Sequence, residues 1–223
     1  MAVRPVFVHS WDVTPGKARR IQEQLRERVR VQPLSEKLEC VAGVDVSVRR
    51  GMARAAVVIL SYPDLIPTEA ATAEEIASFP YVPGLLAFRE GPVVLRAMER
   101  LELRPDVLMF DAQGQAHPRR MGLATHLGVL LDLPSVGCAK SRLCGTHAEP
   151  HEEKGQWVVL EDKGDVIGAV LRTRTRVKPV YVSVGHRVDL ETAVSLVLNC
   201  TTKYRLPETT RWAHRVAGGE PLF

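Results

Sequence analysis

Residues 38–62 read LECVAGVDVSVRRGMARAAVVILSY. Two runs of small and β-branched apolar residues flank Arg49-Arg50-Gly51, which predicts a strand, a tight turn and a second strand. In the first run Val44, Val46 and Val48 face one side, while Gly43, Asp45 and Ser47 face the other. Asp45 is the odd member, because aspartate is poor in strands and costly when buried alone. A hydrogen-bonded structural role would account for it. A cation held by its carboxylate accounts for it better.

Working outward, the segment at 15–31 predicts a helix, with Thr14 as cap and Pro15 at its first position. A third strand is placed in AATAEEIA, 70–77. LLAFREGPVVLRAMERL, 85–101, reads as a helix interrupted or restarted at Gly91-Pro92. PDVLMFD (105–111) is a short buried strand, MGLATHLGVLLD (121–132) a helix and LPSVGCAK (133–140) another strand. QWVVLED and VIGAVLRTRT flank a Lys-Gly-Asp turn, and PVYVSVG follows them. DLETAVSLVLNC, capped by Asp189, and PETTRWAHRVA are the closing helices. Three meandering strands followed by helix, strand, helix and strand call for an α/β fold. The expected form is a ribonuclease H-like mixed sheet flanked by helices.

The 223 residues, 45% hydrophobic and 25% charged, suit an ordinary globular chain and are read as a single catalytic domain, 1–223. No apolar run approaches the roughly 20 residues of a membrane-spanning helix, and MAVRPVFVHSWDV lacks the features of a secretory signal. Cys40, Cys138, Cys144 and Cys200 have neither CxxC spacing nor clustering, so they are expected as reduced thiols in a cytoplasmic protein. A monomer is expected. Net charge is only +4 but unevenly spread. Lys17, Arg19, Arg20, Arg26, Arg28 and Arg30 crowd one segment against two glutamates. Arg172, Arg174, Arg176 and Lys178 recur at every other position and would share one face of a strand. Such a row either faces a nucleic-acid backbone or blunts a solvated sheet edge.

The stretch FPYVPGLLAFRE, 79–90, ends a hydrophobic run in an Arg-Glu pair, so the pair either reaches solvent or holds something charged. Glu90 alone would be a solvated first-turn glutamate, and Asp111, closing VLMFD, alone a turn or capping residue. Taken with Asp45 they form three hard oxygen ligands on three elements, a set that suits Mg²⁺, with Mn²⁺ as substitute. In a basic protein that combination points to phosphodiester cleavage. Lys140, at the end of a strand, could neutralise developing charge or orient a water, or be a surface lysine. His214 in RWAHR could help place the metal or a proton, or be a helix-surface histidine.

FPYVPGLLAFRE, DAQGQAHPRRMGLATHLG, GCAKSRLCG and KPVYVSVGHRVDL, in this order and spacing, closely resemble the endonuclease V family over most of the chain. The resemblance implies an inosine-directed nuclease that cuts the second phosphodiester bond 3′ to inosine, leaving 3′-hydroxyl and 5′-phosphate ends. It implies that Asp45, Glu90 and Asp111 are metal-binding carboxylates, Lys140 the catalytic lysine and His214 a fourth position near the metal, where many relatives carry Asp. Tyr81, between two prolines, corresponds to a wedge that opens the strand beside the lesion. Gly84, Leu86, Gly114 and Gly122 fall where relatives form the pocket for the displaced base. Arg89, His117, Ser183 and His186 complete the expected substrate-binding set, although VSVGH stands where many relatives read SPGH. The expected partner is inosine-containing DNA, with an RNA-directed ribonuclease of the same family as one alternative. A non-cutting inosine-binding module is the other, and intact Asp45, Glu90, Asp111 and Lys140 argue against it. A different ribonuclease H-like nuclease is disfavoured by PYVPGLLAFRE.

Overall fold

The computed structural model describes residues 3–34 and 37–222. The opening stretch forms β1 (Cys40–Arg49) and β2 (Met52–Ser61), joined through Arg50 and Gly51, both at positive φ. Two left-handed residues make the mirror-image turn whose twist matches a hairpin, and Gly51 takes that conformation without a Cβ penalty. The third strand, β3 (Pro67–Ile76), is longer than the expected 70–77 segment at its start and lies at a sheet edge. Next come α2 (Leu86–Met98), β4 (Val107–Phe110), α3 (Leu123–Leu131) and β5 (Ser135–Ala139). The remainder is β6 (Trp157–Asp162), β7 (Asp165–Leu171), β8 (Val180–His186), α4 (Leu190–Asn199) and α5 (Glu208–Ala217), with α1 (Pro15–Arg26) at the start.

The eight strands lie in the order β3-β2-β1-β4-β5-β8-β7-β6. β1, β4 and β5 are mutually parallel and the other pairings are antiparallel, so the sheet is mixed, as a ribonuclease H-like fold requires. Helices α1, α2 and α3 bury their apolar stripes with Ala42, Val44, Leu108 and Phe110 on one face. Helices α4 and α5 pack with Val41, Met109, Val136 and Val182 on the other. Strands covered on both sides read as continuous apolar runs, which is how β4 and β5 look in the sequence.

Caps at Thr14 and Asp189 form as expected, accepting from the backbone N–H groups of Lys17 and Thr192. α1 stops at Arg26, short of the expected 31. α2 is not interrupted at Gly91-Pro92 but runs through it. Pro92 removes one helical donor, yet Val93, Val94, Leu95, Ala97 and Met98 are all buried along this helix and hold it to the core. Gly91 is needed there because a Cβ would meet the Trp11 ring at 2.7 Å.

The expected strand at 166–175 ends at Leu171, which dissolves the proposed row of cations. Arg172 turns inward and is buried. It donates to the carbonyls of His151, Pro150 and Val177 and pairs with Glu149 at 2.8 Å. Arg176 sits at positive φ and pairs with Glu152, so the four cations share no face. The Arg172 backbone still bonds Gln156 and Gly155, but its side chain is spent on those internal carbonyls.

Helix α5 crosses β1 at Gly43, where a Cβ would lie 1.9 Å from the Thr209 carbonyl oxygen. Backbone cannot step aside as a side chain can, so Gly43→Ala should cost about 1–3 kcal/mol through overpacking. In thermal unfolding this should lower Tm by about 2–4 °C per kcal/mol for a chain of this size. The control Gly16→Ala, in open space on α1, should leave Tm level or raise it.

Candidate active site

The parallel ladder sets the centre of the site. Val44 pairs with Phe110, so the residues that follow, Asp45 midway along β1 and Asp111 just past the end of β4, emerge side by side. The Asp111 N–H donates to the Val44 carbonyl at 3.1 Å and fixes that step. Lys140 leaves the end of β5, the next parallel strand, and its Nζ forms an ion pair with Asp111 Oδ2. From α5, His214 Nδ1 reaches Asp45 Oδ2 at 2.7 Å. Asp45 and Gly43 point to the same face of β1, so the close helix crossing at Gly43 is also what brings His214 within reach.

Asp45, Asp111 and His214 each offer a ligand atom, and these lie within 4.8 Å of one another. Glu90 approaches from α2 on the opposite face. Burial, then the charge of Asp45, pushes its carboxyl up to about 8, against the opposing pull of Arg89. Burial and the neighbouring Asp111 likewise raise Asp45, while its hydrogen bond from His214 works in the other direction. The site thus holds more carboxylate than its own cations balance. Hard oxygen donors at such spacing fit a divalent cation such as Mg²⁺.

Beside the carboxylates lies a cleft of about 550 Å³ whose lining includes Tyr81, Gly84, Leu86 and Gly122. Tyr81 stands at the rim, 74% exposed. Gly84 is at φ +78, and its carbonyl accepts from Arg119 Nη2 (2.6 Å), His117 Nε2 (2.9 Å) and Gln22 Nε2 (3.1 Å). Gly122 has no room for a Cβ, which would fall 2.2 Å from the Gln113 carbonyl. Arg89 does not face the cleft with a free guanidinium. Its Nη1 donates to the Phe79 carbonyl at 2.8 Å and fastens the loop before α2.

His117 also lines this cleft, whereas Ser183 and His186 lie elsewhere. His117 is 3% exposed and neutral, its pKa lowered to about 4 by burial and by Arg119. Its Nε2–H serves the Gly84 carbonyl, while Nδ1 accepts from the Arg119 N–H. His117 therefore ties two loops together. Ser183 is fully buried, and its Oγ accepts from the Gly114 N–H at 2.8 Å, beneath the cleft. Gly114 itself packs with no space for a Cβ against the Val184 carbonyl. VSVGH forms the second half of β8, and His186 pairs with Ser135 at the start of β5, the end of that strand away from Lys140. There His186 bonds Asp132 at 3.0 Å, so the structure does not bring it to the site.

Two residues escaped the sequence reading. Gln22 shares the buried stripe of α1 with Ala18, Ile21 and Leu25. A polar residue on an apolar stripe was the available signal. Arg205 donates to the carbonyls of Lys140 and Pro179, both at 2.7 Å, and anchors the chain that follows β5. Nothing in its local sequence marks that role.

The sequence profile of the Endonuclease V family matches residues 23–215. Endonuclease V of Methanothrix thermoacetophila is 52% identical over 214 residues, spanning 96% of this chain and 95% of that protein. The crystal structure of Endonuclease V from Streptomyces avermitilis superposes with a TM-score of 0.90 at 44% identity, covering 98% of this chain and 96% of that one. The Ciona intestinalis enzyme, solved with a 24mer DNA containing an inosine followed by a ribo-adenosine, has a TM-score of 0.76 at 28% identity. That match covers 91% of this chain and 95% of the other. The chain belongs to the endonuclease V family, phosphodiester hydrolases with a ribonuclease H-like fold.

Proposed function

We propose that this protein is a metal-dependent endonuclease that recognises inosine in nucleic acid. It hydrolyses the second phosphodiester bond 3′ to the inosine, leaves 3′-hydroxyl and 5′-phosphate ends, and serves DNA repair. The observation that carries this reading is the convergence of Asp45, Asp111, Lys140 and His214 on one rim of a cleft, with Glu90 buried close enough to feel the charges of Asp45 and Asp111. The inosine-bearing DNA held by the Ciona relative supports the substrate. A bound Mg²⁺, replaceable by Mn²⁺, would polarise the phosphate and make a water nucleophilic near neutral pH.

The chain's own residues do the rest. Asp45, Glu90 and Asp111 would hold the cation. His214 orients the Asp45 carboxylate through its hydrogen bond. Lys140, poised on Asp111, supplies positive charge where the phosphate oxygens gain negative charge. Tyr81 fills the gap left by an extruded base. The Gly84, Leu86, Gly114 and Gly122 segments let backbone approach a flat ring, with Ser183 and His117 fixing those segments from behind. Four free thiols suit the reducing cytoplasm, where the protein acts as a single-domain monomer.

The direct test uses DNA and RNA oligonucleotides carrying one inosine, incubated with Mg²⁺ or with EDTA and resolved by length. A single Mg²⁺-dependent nick at the second 3′ bond is expected in DNA. Cleavage of RNA alone would make the enzyme a ribonuclease, and binding without cleavage would make it a reader. Asp45→Asn or Asp111→Asn should lower single-turnover cleavage by several orders of magnitude while leaving the melting temperature and much of the Ca²⁺-supported binding intact.

Glu90 supplies a test that needs no substrate. Its folded pKa of about 8 lies above its ordinary 4.5, so the folded state binds the extra proton between those values. Stability of the metal-free protein should therefore fall as pH rises through that window. Urea unfolding in EDTA at about pH 5 and about pH 9 reads the slope. Glu90→Gln should flatten it, and Mg²⁺ should restore wild-type stability most at the alkaline end.

Tyr81→Ala should slow cleavage of duplex more than of single strand. The lost stacking, on the order of 1–3 kcal/mol, matters most where neighbours resist opening. Equal losses on both substrates together with a lowered Tm would make Tyr81 a packing residue.

A further inference from the structure

The cleft and Tyr81 account for one side of the carboxylate rim. A second exposed aromatic stands on the other. Tyr204, 43% exposed, lies in the segment joining α4 to α5. The Arg211 guanidinium carbon is 3.4 Å from its ring centroid, and Lys203 Nζ is 5.7 Å away. Arg211 also pairs with Glu208 at 3.4 Å, so one acidic group shares this patch. Neither contact is far from the chemistry. Arg205, the next residue, donates to the Lys140 carbonyl, and Arg211 sits one helical turn before His214, which touches Asp45.

Topology puts the two tyrosines on opposite sides. Tyr81 leads into α2, which packs with Val44 and Phe110 on one face of the sheet. Tyr204 leads into α5, which packs with Val41 and Met109 on the other. Asp45, midway along β1, and Asp111, just past the end of β4, lie between. To a strand whose displaced base occupies the Tyr81 cleft and whose scissile phosphate meets the carboxylates, the α5 side of the sheet offers Tyr204.

We propose that Tyr204, braced by Arg211 and flanked by Lys203, is a stacking platform for a nucleobase of the nucleic-acid strand 3′ to the cut bond. This rests on the inosine-directed cleavage proposed above. An aromatic ring stacks on any base, and the neighbouring cations suit the phosphates that come with it. The platform would hold the departing 5′-phosphate product and fix the direction in which the strand threads the site, without choosing its sequence.

The test measures dissociation constants by fluorescence anisotropy in EDTA. Three single strands carry the same inosine: one extending several nucleotides beyond the cut bond, one ending just after it, and one extended but abasic through the flank. For the wild type, the extended strand should bind more tightly than the other two. Tyr204→Ala should weaken the extended strand about 10-fold and the others little. Tyr204→Phe, which keeps the ring, should retain wild-type preference. If Tyr204→Ala is poorly folded, all three strands suffer alike, and Tyr204→Trp, with a larger ring, should instead keep or strengthen the preference for the base-bearing flank. A flank preference undiminished in Tyr204→Ala, or lost equally in the Phe and Trp variants, overturns the platform. Wild-type protein that nicks no inosine strand in Mg²⁺ strikes the proposed activity itself, whereas nicking with an intact Tyr204→Ala flank preference strikes the platform alone.

Discussion

Asp45 and Asp111 repel each other, and the fold forces them together all the same. The register of β1 on β4 leaves them no alternative, since a one-residue slip of either strand would turn its carboxylate away from the other. Burial adds to the repulsion by removing water that would otherwise screen it. Within the chain the compensation is partial: Lys140 pairs with Asp111, and His214 with Asp45. Glu90, brought from the opposite layer, answers the buried negative charge in the metal-free protein by keeping its proton well above the ordinary range. The ladder and two covered faces supply the stability that makes such a concentration of carboxylates tolerable.

The two helical layers reach the same edge from opposite sides. From one, α2 carries Glu90 and fastens its preceding loop through Arg89. From the other, α5 carries His214, and it comes close enough only because Gly43 has no side chain. A sheet with helices on one face could not surround a phosphate in this way. The mixed architecture is thus a requirement of the site as much as a packing solution.

Much of this was legible in the residues. Asp45 declared itself as an acid inside an apolar strand, and the order of strands and helices gave the sheet. The order of Asp111 and Lys140 after two further strands placed both at the same end. What misled was local periodicity. Alternating Arg172, Arg174, Arg176 and Lys178 looked like one face of a strand, but three partners more than 20 residues away, with Val177 nearby, draw Arg172 inward. Gly91-Pro92 looked like a break, but burial on both sides of it outweighs one missing donor. His117, Ser183 and His186 belong to motif-like segments, yet what each side chain bonds depends on loops that meet only in the folded chain. Gln22 and Arg205 were missed for the same reason, because their partners lie 62 and 65 residues away.

Three donors converge on the Gly84 carbonyl, from Gln22, His117 and Arg119. To shift, the loop bearing Tyr81 would have to surrender all three at once, and Arg89 holds its other end. The ordering entropy of this loop is therefore lost when the chain folds, not when a strand arrives. A rigid rim cannot adapt to its ligand, so deformation falls to the nucleic acid. Selectivity in such an arrangement comes from the mechanical softness of the strand as well as from the chemistry of its base, and the easiest site to bend and unstack is entered first.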